Sequence, residues 1–159
     1  MQRLAVAATR AITDPRCRHT LTNARSSPAR PRTTTIATVD GVEIRSLESV
    51  DAFVTADGST IRELLGLVTA PVANQSLAEA TLEPGQATER HYHADSEEIY
   101  FILEGGGEME IDGERATVMP GDAILIPPGS WHEIRAADGR LRFLCCCAPP
   151  YRHEDTFFR

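Results

Sequence analysis

The sequence predicts an all-β fold, a sandwich or a small barrel, and three observations carry that expectation. Short apolar stretches of strand length recur from Leu77 to Cys147. Pairs of turn-forming residues separate them. No βαβ unit and no internal repeat of roughly 20–50 residues interrupts the pattern. The only helical periodicity is a weak one over Ser59 to Leu67.

In chain order the strands are expected at Leu77–Leu82, Thr88–His93, Glu98–Leu103, Gly107–Ile111, Arg115–Val118, Ala123–Ile126, His132–Ile134 and Leu141–Cys147. Pro84-Gly85, Gly105-Gly106-Gly107, Pro120-Gly121, Pro127-Pro128-Gly129 and Asp138-Gly139 supply the turns between them, through the fixed φ of proline and the positive φ open to glycine. Asp112-Gly113 is the strongest hairpin signal. Thr38 to Pro71 is expected to add edge strands or a short helix, and the polar tail Tyr151 to Asp155 to be a solvated surface or edge segment, with closure over the barrel mouth as its alternative.

With 159 residues the chain has room for one ordinary domain. Its net charge of -7 conceals a division. Residues 1–38 carry seven Arg and one acidic residue, a net of +6, whereas the rest carries nine Arg against 22 acidic residues, a net of -13. The expected organisation is therefore a disordered basic leader over 1–38 and one folded domain over 39–159. The leader's Arg, Ser and Thr content suits an organellar transit peptide; translation from an upstream start in a GC-rich genome is the alternative favoured by the absence of Lys, and places the protein in the cytoplasm. An acidic domain argues against a nucleic-acid partner, and the lack of any run of about 18 apolar residues argues against a membrane span.

Cys17 lies in the leader, and Cys145, Cys146 and Cys147 are consecutive in an expected strand. Alternation sends Cys145 and Cys147 to one face and Cys146 to the other. Adjacent cysteines bridge only with strain and no CxxC spacing is present, so packed free thiols are expected, with a cavity-facing auxiliary role for Cys145 or Cys147 as the sharper alternative.

The histidines carry the chemistry. His91 and His93 are two apart on an expected strand, so both imidazoles project from one face while Tyr92 points away, and Glu98 opens the next strand. Two imidazoles and a carboxylate are common ligands for a divalent transition metal, and His132 offers a fourth donor from a distant strand. If Glu98 points inward so do Tyr100 and Ile102, while Ile99, Phe101 and Leu103 face the other side; Met109 and Ile111 are candidates for the opposite wall. Tyr100 is thus the candidate catalytic residue outside the ligand set, with a purely packing role as its alternative.

These residues resemble the cupin superfamily. Gly85, His91, His93, Glu98 and Gly105 match its first motif, G-x5-H-x-H-x4-E-x6-G, at every gap. Gly121, Pro127, Gly129 and His132 match the second, G-x5-P-x-G-x2-H-x3-N, which departs only at its last position, Ala136. The 15 residues between Gly105 and Gly121 suit the compact hairpin of small bacterial members. The resemblance implies a double-stranded β-helix of jelly-roll type holding one metal on His91, His93, Glu98 and His132.

The ligands do not distinguish Fe, Mn, Zn, Ni and Cu. A His3Glu set leaves positions for water, dioxygen or a bidentate substrate. The expectation is a mononuclear metalloenzyme for a small organic molecule, narrowly favoured as a non-haem dioxygenase-type oxidoreductase. The alternatives are a Lewis-acid isomerase, lyase or decarboxylase on the same site, and a non-catalytic small-molecule-binding cupin. The absence of Lys disfavours a phosphosugar, and the apolar outer residues Ile99, Phe101 and Leu103 suggest a homodimer.

Overall fold

The computed structural model describes residues 37–39 and 42–159. Residues 1–36 of the expected leader, Cys17 among them, lie outside these. Among the described residues β1 (Ala37–Val39) and β2 (Val42–Ile44) form a hairpin, followed by β3 (Phe53–Val54), β4 (Thr60–Leu65), β5 (Ser76–Leu82), β6 (His91–His93) and β7 (Glu97–Glu104). Then come β8 (Gly107–Ile111), β9 (Glu114–Val118), β10 (Ala123–Ile126), β11 (His132–Ala136), β12 (Leu141–Ala148) and β13 (Thr156–Phe158).

Two antiparallel sheets result, one in the order β10-β7-β12-β5-β4-β3 and the other in the order β13-β6-β11-β8-β9. Every strand expected between Leu77 and Cys147 is present, with β6 shorter than its expected span. The alternation along β7 is complete: Glu98, Tyr100 and Ile102 are buried, while Ile99, Phe101 and Leu103 are exposed. Asp112 and Gly113 both take positive φ, 50° and 90°, as a two-residue hairpin between β8 and β9 requires. Gly107 serves packing, since a Cβ there would stand 2.1 Å from the Arg135 carbonyl oxygen on the paired strand β11.

The weak helix expected near Ser59 to Leu67 is instead β4. It pairs with β5, and a register irregularity between Glu63 and Leu65 breaks the period of two, so the sequence spacing imitates a helix. The tail is the edge segment expected, with Arg152, His153 and Glu154 exposed and Asp155 buried. After a single 3-10 turn at His153–Asp155 it becomes β13 and adds itself to β6, with Phe157 stacked on Tyr92 at 5.0 Å between ring centres. His153 itself is exposed.

The apolar core fills one end of the space between the sheets. Leu82, Ile102, Ile126, Ile134, Leu141 and Phe143 are each at most 1% exposed. Burying such a side chain contributes about 1.5–3 kcal/mol, so this cluster anchors the two sheets to each other. Met109 belongs to this core and does not line the cavity as expected. Along β12 the inward residues pass from Leu141 and Phe143 in the core to Cys145 and Cys147 in a cavity; along β7 they pass from Ile102 to Tyr100 and Glu98. One end of the strands packs and the other presents chemistry.

Candidate metal centre

Strand pairing brings the four polar residues together. His132 on β11 lies directly across from His91 on β6, and the short loop after His93 returns the chain to Glu98 on β7 in the facing sheet. His91, His93, Glu98 and His132 are all buried, at 0–4% exposure, and one donor atom from each lies within 4.8 Å of the others.

Each imidazole is oriented through Nδ1. His91 Nδ1 stands 2.7 Å from the Glu89 carbonyl oxygen, His132 Nδ1 3.0 Å from that of Ser130, and His93 Nδ1 3.2 Å from the Thr156 hydroxyl. Hydrogen bonds at Nδ1 fix the tautomer and ring position, the arrangement by which proteins aim Nε2 at a metal. Glu98 Oε2 lies 3.3 Å from His93 Nε2 and 3.4 Å from His132 Nε2. These approaches lack hydrogen-bond alignment: Glu98 Oε2 and His132 Nε2 are buried without a hydrogen-bond partner. Orphaned buried polar atoms are costly, and a cation among them satisfies all of them at once. The donor set therefore fits a divalent metal ion.

Protonation follows the same logic. Burial lowers the His91 pKa to about 4, helped by the neighbouring His132, so the ring is neutral at pH 7. Burial also opposes charge on His93, but the Glu98 carboxylate and Asp155 outweigh it and raise its pKa. Burial pushes Glu98 upward, yet the His132 and His93 imidazoles beside it hold it far below the usual carboxylate range. Glu98 is thus an anion at neutral pH. Tyr100 lines the cavity with its ring 6.2 Å from that of His132, and burial followed by the Glu98 charge lifts its pKa well above the ordinary value. The phenol therefore stays protonated at neutral pH. Cys147 donates its S–H to Glu98 Oε1 at 3.3 Å, and burial keeps it and Cys145 as thiols.

The cavity above this cluster holds about 80 Å³ of free space and opens to solvent at its mouth. Its floor is His91, His93 and Glu98, and its walls come from the inward faces of β5 and β12, from β4, and from two further places, of which sequence reading missed the first and held the second only as an alternative. The first is the β3–β4 hairpin, which contributes Phe53, Thr55, Asp57 and Ser59. Its Asp57-Gly58 pair is a hairpin signal of the same kind as Asp112-Gly113 and could have been read. The second is the tail, which contributes Tyr151, Thr156 and Phe158. Asp155 anchors it: its carboxylate accepts hydrogen bonds from the backbone N–H of Ala94 (3.1 Å), Asp95 (2.9 Å) and Ser96 (3.1 Å), the loop between the ligands His93 and Glu98. No local sequence signal announces a contact across about 60 residues.

Among the described residues no arginine lines the cavity. Arg45 bonds Glu43 and the Thr69 carbonyl; Arg62 and Arg142 meet Glu79 on the outer face of the six-stranded sheet. Arg90 pairs with Glu110 and shares the Trp131 ring with Arg159. Arg115, Arg135, Arg140 and Arg152 bridge to Glu108, Glu133, Glu83 and Asp95.

The family described as Cupin domain matches residues 78–147, from β5 to the end of the cysteine run. The chain belongs to the cupin superfamily. It is 47% identical over 110 residues to an uncharacterized protein of Methanocaldococcus jannaschii, spanning 69% of this chain and 88% of that one. It is 39% identical over 51 residues to gentisate 1,2 dioxygenase 1 of Aquipseudomonas alcaligenes, but this covers only 31% of the chain and 14% of that enzyme. Among solved structures the polyketide cyclase RemF from Streptomyces resistomycificus superposes with a TM-score of 0.60 at 26% identity, covering 72% of this cupin and 89% of RemF. No helix among the described residues is long and apolar enough to cross a membrane.

Proposed function

We propose that this cupin is a mononuclear metalloenzyme acting on a small organic molecule, with His91, His93, Glu98 and His132 as the metal ligands. The observation that supports it best is the convergence of four buried donors, two of them without hydrogen-bond partners, at the floor of an open cavity. A divalent ion bound there supplies Lewis acidity and, if it is redox-active, a site for dioxygen. The residues of the chain do the rest. The three imidazoles are aimed through Nδ1, Glu98 supplies one negative charge, and apolar walls line the approach. Tyr100 holds a proton at the cavity wall and is our candidate for delivering it to substrate.

Dioxygenase-type chemistry is the reading favoured by the similarity to gentisate dioxygenase. The likeness to a polyketide cyclase supports the second reading, Lewis-acid chemistry without dioxygen. Oxygen uptake by iron-reconstituted protein with candidate aromatic diols and hydroxyacids separates them. Uptake that disappears in His93→Ala supports the oxidative reading, and turnover on zinc without oxygen consumption supports the other. We further propose a homodimer through the exposed residues Ile99, Phe101, Leu103 and Leu125 on the outer face of β7 and the edge strand β10. Sedimentation equilibrium is the check; a monomer across the micromolar range contradicts it.

A further inference from the structure

The cavity's charge inventory says more about the substrate than its metal ligands do. Its walls are mostly apolar and aromatic, with Phe53, Phe143, Tyr151 and Phe158 facing the space above the cluster. The charged groups on those walls are both acidic. Asp57 stands on the β3–β4 hairpin, where its Oδ1 accepts hydrogen bonds from the Thr55 hydroxyl and from the Ser59 N–H and hydroxyl. Glu63 stands on β4, with its Oε1 bonded to Thr69. Every arginine from residue 42 onward is engaged outside the cavity, and the chain has no lysine.

We infer that the cavity selects uncharged, largely apolar molecules and rejects phosphorylated, sulfonated or polycarboxylate compounds of equal size. The inference rests on the reading of this cavity as the substrate site beside a bound metal. Among the described residues an anion entering it has no arginine to meet, and it passes two carboxylates, of which each weakens binding by about tenfold at separations near 7 Å in a medium of intermediate polarity. Only the metal opposes this, and its charge is already halved by Glu98. An aromatic or aliphatic neutral molecule instead gains the wall contacts and presents oxygen atoms to the floor.

The test uses full-length protein reconstituted with zinc, which avoids redox chemistry, and two probes of matched outline and identical donor pair: 4-tert-butylcatechol, which is neutral, and 4-sulfocatechol, which is anionic. Calorimetry should give at least tenfold tighter binding of the neutral probe. In an Asp57→Asn/Glu63→Gln double variant, with zinc content unchanged, that preference should fall at least fivefold. Phe53→Arg, which places a cation at the half-exposed mouth, should tighten sulfocatechol binding by a similar factor. Equal or tighter binding of the sulfonate by zinc-loaded wild-type protein overturns the inference, as does an unchanged preference in the double variant together with no gain in Phe53→Arg. Protein that takes up no zinc overturns the metal reading beneath it, an outcome recognised separately by metal analysis.

Discussion

The two faces of the six-stranded sheet carry similar residue types to opposite ends. On the outer face Arg142 bonds both Glu79 and Glu104, at 3.0 and 2.8 Å, and Arg62 approaches Glu79, so each acid meets a base. On the inner face, one side chain away on the same strands, Glu98 meets only imidazoles and a thiol. Charges that balance among themselves stabilise locally, and Glu79, though buried, keeps two arginine partners. Charges left unbalanced in a buried place call for a cation that the chain does not supply. The difference marks the inner face as a site and the outer face as scaffold.

Removing Glu98 should have the largest effect. Glu98→Gln keeps the shape and deletes the charge, and metal affinity measured by competition with a chelator should fall by at least 100-fold. Retention of wild-type affinity would break the contrast between the faces.

Acid comes next. Unfolded His91 takes up a proton near pH 6.5 whereas the folded ring does so only near 4, so its contribution to stability is complete above pH 6.5 and is lost as pH falls through that window. The depressed Glu98 acts with the same sign at lower pH. The raised His93 acts with the opposite sign, adding stability below pH 6.5 that is lost as pH rises through its folded value. Denaturant titrations of metal-free protein should show a net loss of about 2 kcal/mol between pH 6.5 and 4, and His91→Asn should flatten that slope.

Asp155→Ala tests the tail's anchor on the ligand loop. It leaves the Asp95 and Ser96 N–H groups without their acceptor and should cost about 2 kcal/mol in urea unfolding, and weaken metal binding through the His93–Glu98 loop. The smallest effect belongs to the outer face. Arg142→Ala removes a half-exposed partner and should cost no more than about 1 kcal/mol, with metal affinity unchanged. An Arg142→Ala effect larger than that of Asp155→Ala would reverse the comparison.

Much of this was legible in the sequence where structure is local. Alternation along Glu98 to Leu103, the Asp112-Gly113 turn and the two-residue spacing of His91 and His93 each encode their geometry within a few residues. What escaped was set by distant partners. The irregularity between Glu63 and Leu65 hid β4, because a bulge shifts the alternation and is visible only against β5. The tail read as a surface or edge segment and is one at Arg152 to Glu154, but its polarity did not announce that Asp155 is buried by backbone donors of the ligand loop. Asp57 and Glu63 became cavity residues only when the β3–β4 hairpin closed over the site. Long-range closure leaves no periodic trace.

The central claim is that the four buried donors hold one metal ion. Elemental analysis of protein reconstituted anaerobically with iron(II) and desalted tests it most directly. The account predicts one equivalent per chain in the wild type and less than a tenth of that in His93→Ala; a wild-type protein that emerges without metal would contradict it.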